Sequence, residues 1–238
     1  MVNVVVGNQI LDGLPPLESS AIAPHLCALS LAARDVLYSP NKPLDQVYFP
    51  TGSVLSVLAV MRDGSSVEIG TVGREGVTGA QLILGNARAP SEMICQVSGP
   101  ALRISAADFR AHFETAPTFR RRVYRYTEAL FNFMGQSIAC NGLHSVNERC
   151  ARWLLSTRDR VGRDEFHLTQ EFLAMMLGVR RPGVTIAAGA LQQAGFISYR
   201  RGHVEIRDPA GLESAACECY QVTADWFAAD AGDAAVGS

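Results

Sequence analysis

The spacing of apolar positions changes along the chain and divides it into regions. Residues 36–105 carry short β-branched runs separated by Gly, Pro, Asn and Asp, a pattern typical of strands joined by tight turns. Many short strands at close spacing favour an antiparallel barrel or jelly roll. Before them, residues 15–32 begin with two prolines and predict a helix. The helical spacing is that of Leu17, Ile22, Leu26 and Leu29.

At about Pro117 the period becomes helical and stays so for some 25 residues. Apolar side chains recur at alternating intervals of three and four, close to a coiled-coil seam. One small domain can cover only part of such a stripe, so we expect the helix to pair with the same helix of a second subunit. Packing wholly on its own domain is the alternative. The predicted interface residues are Phe119, Val123, Tyr126, Leu130 and Phe133.

A second helical region follows a break in the pattern. Asn141-Gly142 predicts a hinge after the long helix. Ser145 and Glu148 have the S-x-x-E spacing of a capping box, and the run "VNERCARWLLSTRDRVG" continues at helical spacing. These residues therefore predict the first helix of a separate C-terminal domain.

Two shorter helices and a hairpin complete that domain. Thr169 is a good N-cap for "QEFLAMML", and Gly178 suits the turn that ends this helix. A second helix is expected from about Arg181 to Ala194, followed by the hairpin "FISYRRGHVEI". Helix, glycine turn, helix and hairpin predict a winged helix-turn-helix.

The charge distribution indicates what this domain binds. The formal net charge of the chain is -2. Four arginines and no acidic residue nevertheless lie between Val179 and His203, whereas the charged residues from Asp208 onward are all acidic. Arg180 and Arg181 stand where a recognition helix enters the major groove, and Arg200 and Arg201 lie at the hairpin tip. Solvated surface arginines are the simpler alternative, but the bias at both expected contact points favours double-stranded DNA.

These motifs resemble those of the Crp/Fnr family of bacterial transcription regulators, most specifically in "SVNERCARWLL" and "LTQEFLAMMLGVRRPGVT". The resemblance covers residues 15–210. It implies an α+β fold with an N-terminal antiparallel β-roll of jelly-roll type, a long dimerisation helix and a C-terminal winged helix-turn-helix. The implied parts are a sensor β-roll at 1–116, a dimerisation helix at 117–143, the DNA-binding domain at 144–210 and an acidic tail at 211–238.

The resemblance also assigns roles to single residues. It implies that Thr169 and Gln170 contact phosphate and that Arg181 reads a guanine. Where the family often has glutamate this chain has Pro182, and Thr185 stands near the position of a further arginine, so the family's best-known operator is not expected. The predicted DNA contacts are Thr169, Gln170, Arg180, Arg181, Thr185, Arg200 and Arg201.

The effector segment departs further from the family pattern. Members that bind cyclic nucleotides have a Gly-Glu pair and then an Arg-Ser pair, which hold the ribose and the cyclic phosphate. Here Gly79 is followed by Ala80, and Arg88 by Ala89-Pro90. We therefore expect a degenerate pocket that does not bind cyclic AMP, with an unknown small molecule as a possible effector.

Other chemistries find little support in the sequence. The strand region 36–105 has no histidine, which argues against a metal-dependent enzyme of jelly-roll type, and no P-loop or nucleophile elbow occurs. The six cysteines are scattered, so we expect free thiols, no metal site and no cofactor. No signal peptide or membrane span is recognisable, which predicts a cytoplasmic protein.

The predicted function is a homodimeric transcription regulator that works with RNA polymerase; a sensor of the same fold without DNA binding is the alternative.

Overall fold

A computed structural model describes residues 6–232 of the 238-residue chain. The helices are α1 (Gln9–Asp12), α2 (Pro16–Ile22), α3 (Ala80–Ile83), α4 (Ala106–Thr115), α5 (Pro117–Leu143), α6 (Val146–Val161), α7 (Gln170–Leu177), α8 (Arg181–Gln193), α9 (Pro209–Ser214) and α10 (Cys219–Gly232). The strands are β1 (Cys27–Leu31), β2 (Val36–Tyr38), β3 (Gln46–Pro50), β4 (Val54–Val60), β5 (Ser66–Val72), β6 (Glu92–Val97), β7 (Gly99–Ser105), β8 (Glu165–His167), β9 (Ile197–Arg200) and β10 (His203–Ile206). No helix within these residues is long and apolar enough to cross a membrane.

Strands β1 to β7 form the predicted β-roll from two antiparallel sheets. One sheet has the order β1-β7-β3 and the other β2-β6-β4-β5. An aromatic cluster fills the core beside the first sheet, where the ring of Phe119 lies 6.3 Å from that of Phe49 and 5.5 Å from that of Phe109. The long helix thus closes the roll with its own first turns.

The predicted helix at 15–32 is only partly correct. Helix α2 ends at Ile22, a 3₁₀ turn follows over Ala23–His25, and Leu29 lies in β1, which pairs with β7. Proline cannot donate a backbone hydrogen bond, so the α-helical bonding pattern stops before Pro24 and a 3₁₀ turn replaces it, although Ala23 keeps helical dihedral angles. Tertiary pairing with β7 then outweighs the local helical spacing.

The sequence of β4 is apolar almost throughout and does not alternate with polar residues, because both faces of the strand are covered. Leu55 and Val57 belong to the core of the β-roll, whereas Val54 and Leu58 belong to the core of the C-terminal domain. A strand that is covered on both faces has no solvent side to be polar. The four-stranded sheet therefore packs against the core of the β-roll on one face and against the C-terminal domain on the other.

Polar contacts accompany this domain docking. Trp153 of α6 donates its indole N–H to Glu68 of β5 at 3.0 Å, and Arg160 Nε lies 3.0 Å from Glu75 Oε1 in a buried ion pair. Burial raises the pKa of Glu68 to about 7, although hydrogen bonds from Ser56 and Trp153 oppose that shift. A carboxyl group with these partners holds one orientation of α6 against the roll.

The inner face of α5 carries the apolar stripe that the sequence predicts as a subunit interface. That assignment is wrong for this face, because all five side chains are at most 9% exposed within the single chain. They pack in the core of the β-roll, and Phe227 of α10 covers two of them. The five residues are Phe119, Val123, Tyr126, Leu130 and Phe133.

The predicted hinge at Asn141-Gly142 is also displaced. Helix α5 runs through both residues to Leu143, and the break falls at His144, whose φ of -107° and ψ of 150° leave the helical region. Ser145 and Glu148 then form the predicted capping box. Hydrogen bonds in the last turn of α5 outweigh the weak helix propensity of an asparagine-glycine pair.

The chain after Asp208 is not an extended tail over its described part. Helix α10 lies along α5, where the ring of Phe227 is 6.2 Å from Tyr126 and 5.9 Å from Phe133. The end of the predicted acidic tail, residues 233–238, lies outside the described residues. The C-terminal segment thus covers part of the apolar face that the β-roll leaves open.

Candidate DNA-binding surface and sensor domain

The N-terminal ends of α7 and α8 meet the β9–β10 hairpin at one open cleft of about 430 Å³. Local sequence makes this meeting possible, because Gly178 ends α7 with φ +61° and lets the chain turn directly into α8. Several residues predicted as DNA contacts line the cleft together. They are Thr169, Gln170, Arg181 and Arg201, beside Glu171, Tyr199 and Gly202.

Hydrogen bonds hold the polar side chains of α7 and α8 in register. The Thr169 hydroxyl accepts the N–H of Phe172 at 3.2 Å, which caps α7 as predicted. Thr185 Oγ1 lies 3.2 Å from Gln170 Oε1 and 3.2 Å from the carbonyl oxygen of Arg181. The predicted contact residues of the two helices therefore form one connected polar edge.

The four predicted arginines surround this edge and are exposed. Arg180 is the N-cap of α8 and Arg181 is its first residue. Arg200 ends β9, and the turn after it has positive φ at Arg201 (51°) and Gly202 (80°), as a type I′ hairpin requires. Within residues 6–232 their guanidinium groups make no hydrogen bond or ion pair. They are free for an anionic ligand beside a helix N-terminus, which itself favours negative charge.

Sequence reasoning missed the residue that positions the wing. The hydroxyl of Tyr199 donates to the carbonyl of Leu168 at 2.9 Å, and its backbone N–H donates to Gln192 Oε1 at 2.8 Å. Burial raises the pKa of the Tyr199 hydroxyl above its ordinary value. The hairpin is thereby tied to α8 and to the residue just before the N-cap of α7. No local pattern indicates this contact, because Leu168 is 31 residues away.

Ile186 is a second residue whose position becomes clear only in the structure. Its side chain is 70% exposed and follows the exposed Thr185, while the buried face of α8 carries the predicted Val184 and Leu191. A large apolar side chain on the open face of a helix that enters the major groove can contact a thymine methyl group. In the sequence, the available signal was a large apolar residue directly after Thr185 in the first turns of the predicted helix.

The segment predicted as a degenerate effector pocket lies between β5 and β6. Gly79 precedes α3 with φ +76°, and Ala80 is its buried first residue. Arg88 is exposed, and its guanidinium donates to the carbonyl of Asn41 at 2.6 Å. The arginine is thus engaged with the protein's own backbone.

Side chains of α5 occupy the space against the neighbouring strands. A Cβ atom at Gly76 would lie 2.1 Å from the ring of Tyr126, and one at Gly70 would lie 2.9 Å from Met134 Cε. At Gly76 only glycine leaves room for the ring of Tyr126, whereas at Gly70 a larger residue would require the flexible end of Met134 to shift. Side chains of α5 therefore fill the contact between this helix and the roll. The Tyr126 hydroxyl is buried there and has no hydrogen-bond partner among the described residues.

Comparison with known families matches both halves of the molecule. A cyclic nucleotide-binding domain matches residues 28–116, and a Crp-like helix-turn-helix domain matches residues 148–215. The chain belongs to the Crp/Fnr family of transcription regulators. This regulator is not an enzyme, and its α+β architecture is the predicted one.

Solved structures of other proteins share the fold of this regulator. FixK2 from Bradyrhizobium japonicum is 13% identical with a TM-score of 0.69, over 81% of this chain and 98% of that chain. A Crp/Fnr-family regulator from Eubacterium rectale is 16% identical with a TM-score of 0.64, over 87% and 96%. The c-di-GMP-responsive regulator CLP from Xanthomonas campestris is 15% identical with a TM-score of 0.64, over 81% and 99%. No curated protein matches the regulator in sequence.

Proposed function

We propose that this regulator binds a pseudo-palindromic operator as a homodimer, with Arg181 reading a base and the wing holding the backbone. The observation that carries the proposal is the set of unpaired arginines around the N-terminus of α8. Arg181 belongs to the helix end that enters the major groove, where its planar group suits the two acceptors of guanine. Arg200 and Arg201 belong to the flanking hairpin, where phosphate is the expected contact.

The outer face of α5 supports a dimer better than the predicted inner face. Tyr124, Phe131 and Ile138 recur at intervals of seven and are 50%, 77% and 75% exposed. Gly135 and Gly142 lie on the same side, and a Cβ atom added at either would meet nothing within 4 Å, so a second helix could approach closely there. An apolar heptad seam with small residues beside it is the arrangement of a two-helix interface.

The regulator's partners follow from this role. Two-fold symmetry would set its recognition helices about 34–36 Å apart. This separation is already known for helix-turn-helix dimers, including one member of this family. A protein that regulates transcription meets RNA polymerase at the promoter, and operator position then decides between activation and repression. A sensor that has lost DNA binding is the competing function, and it predicts no sequence-selective retention of DNA.

The test begins with selection of bound sequences from a random DNA pool. Binding of the selected operator and its one-base variants is then measured across salt concentrations. We expect Arg181→Ala to cost about 1–3 kcal/mol per half-site and to relax preference at one position. Arg200→Ala and Arg201→Ala should weaken all sequences alike and flatten the salt slope by about one per lost contact.

Arg110→Ala is the matched control, because it removes an exposed arginine from α4 of the β-roll and should leave the slope unchanged. A uniform loss in Arg181→Ala with base preference intact would refute the readout assignment. An unchanged slope in both wing variants would refute the backbone contacts. Failure to select any sequence, with and without cell extract as a source of effector, would favour the sensor without DNA binding.

The proposed effector is a molecule other than cyclic AMP. Ala80 and Ala89 offer neither a carboxylate for ribose nor a hydroxyl for phosphate, and Arg88 is bonded to Asn41. Isothermal titration calorimetry of the purified regulator with cyclic AMP should therefore give no saturable heat at micromolar ligand. A micromolar or tighter dissociation constant would contradict this proposal.

A further inference from the structure

The C-terminal end of α5 and the linker between α9 and α10 bring together four side chains that the sequence separates. Cys140 lies in the last turn of α5 and His144 is its C-cap, while Cys217 and Cys219 come from the linker and the start of α10. One ligand atom of each lies within 4.8 Å of every other. Scattered cysteines predicted no such cluster, because 77 residues separate Cys140 from Cys217.

The distances within the cluster suit a single tetrahedral ion. Cys140 Sγ lies 3.5 Å from Cys217 Sγ, and Cys219 Sγ lies 3.6 Å from His144 Nδ1. Zinc bonds of about 2.3 Å to sulfur and about 2.0–2.1 Å to nitrogen set tetrahedral edges of about 3.8 Å and about 3.6 Å. A cluster of two irons and two sulfides would need its ligand pairs farther apart, because the inorganic core lies between them.

The surroundings of the cluster match those of a metal site. His144 directs its other nitrogen, Nε2, to Glu218 at 3.1 Å, the carboxylate–histidine arrangement that orients a metal-bound imidazole. Gln136 donates an amide N–H to Cys219 Sγ at 3.1 Å. These contacts leave Nδ1 and the sulfur lone pairs facing the centre of the cluster.

Burial and charge point the same way. The three cysteines are at most 4% exposed and form a cluster apart from both hydrophobic cores. Arg149 and Arg152 of α6 are buried nearby, at 7% and 6% exposure. Three thiolates on a divalent cation carry net negative charge, which these arginines offset.

We propose that Cys140, His144, Cys217 and Cys219 bind one structural Zn²⁺ ion. The ligand set of three sulfurs and one nitrogen is closed, as in structural zinc sites, and leaves no position for substrate. Each cysteine binds as a thiolate and gives its proton to solvent, while His144 binds as neutral imidazole. The ion joins the α9–α10 linker to the end of α5, at the junction where the DNA-binding domain begins.

The test measures metal directly on the full-length regulator. Protein expressed with zinc and purified under reducing conditions should contain about one zinc ion per chain, as measured by inductively coupled plasma mass spectrometry. Cobalt in place of zinc should give the strong visible absorption of a tetrahedral thiolate site. Cys217→Ser and Cys219→Ser should lose most of the metal, whereas Cys27→Ser, which removes an exposed thiol in β1, should keep it.

Glu218→Gln provides a variant that spares every ligand and lies on an exposed side chain. It should weaken zinc about 10–100-fold in competition with a chelating dye, the usual effect of removing the carboxylate behind a histidine ligand. A wild-type chain that takes up no zinc or cobalt, or ligand variants that bind zinc as tightly as Cys27→Ser, would overturn the site. Iron with inorganic sulfide, or a Cys140–Cys217 disulfide in the reduced preparation, would overturn it as well.

Discussion

The two faces of α5 carry similar apolar residues but meet different surroundings. On the inner face Phe119 is fully buried between the rings of Phe49 and Phe109. On the outer face Phe131 is 77% exposed and its neighbour in the heptad, Ile138, is 75% exposed. Helical periodicity predicts that a face is covered, but it carries no information about what covers it. The stronger stripe belongs to the protein's own core, and the weaker one stays exposed on the single chain.

The largest expected effect comes from emptying the inner face. Phe119→Ala should lower the free energy of unfolding by about 3–5 kcal/mol, the usual loss for a buried phenylalanine, because the surrounding rings relax only in part. Urea denaturation of the purified chain measures it. The loss lies within one subunit, so it should persist at every protein concentration. A loss that vanishes on dilution would place Phe119 between subunits and restore the inner face as the interface.

The matched substitution on the outer face should act on assembly instead. Phe131→Ala should weaken dimerisation by about 1.5–3 kcal/mol for each of the two copies, the value of burying such a side chain, or about tenfold to a hundredfold in dissociation constant per copy. Sedimentation velocity over a dilution series measures the shift, and operator affinity should fall with it. If Phe131→Ala leaves the dimer unchanged, the outer face is not the subunit interface.

The smallest expected effect separates packing from polarity on the inner face. Tyr126 is 1% exposed, and its hydroxyl has no hydrogen-bond partner among the described residues. Tyr126→Phe keeps the ring and removes an unsatisfied polar atom, so stability should stay within about 1 kcal/mol of wild type or rise. Urea denaturation beside Phe119→Ala gives the comparison. A loss as large as that of Phe119→Ala would mean that the hydroxyl has an essential partner, such as a bound water or effector.

Local patterns predicted much of the fold, and several of the residues they singled out line one cleft between α7, α8 and the wing. The run "EMICQV" coincides with β6, Ser145 and Glu148 form a capping box, and Thr169 caps α7. Each of these features depends on residues at most a few positions apart. Strand β1 was missed for the opposite reason, because its conformation follows from pairing with β7, more than 70 residues later, as in Cys27 with Arg103.

The sequence alone determined most of the secondary structure, the order of the domains and the concentration of arginine at the tips of α8 and the wing. Short-range sterics, capping and the charge pattern are sufficient for these. Only the tertiary structure decided which face of α5 the β-roll covers, how Tyr199 anchors the wing and that Cys140 meets Cys217. These contacts join residues far apart in the chain, and no period or motif in one segment encodes the position of another.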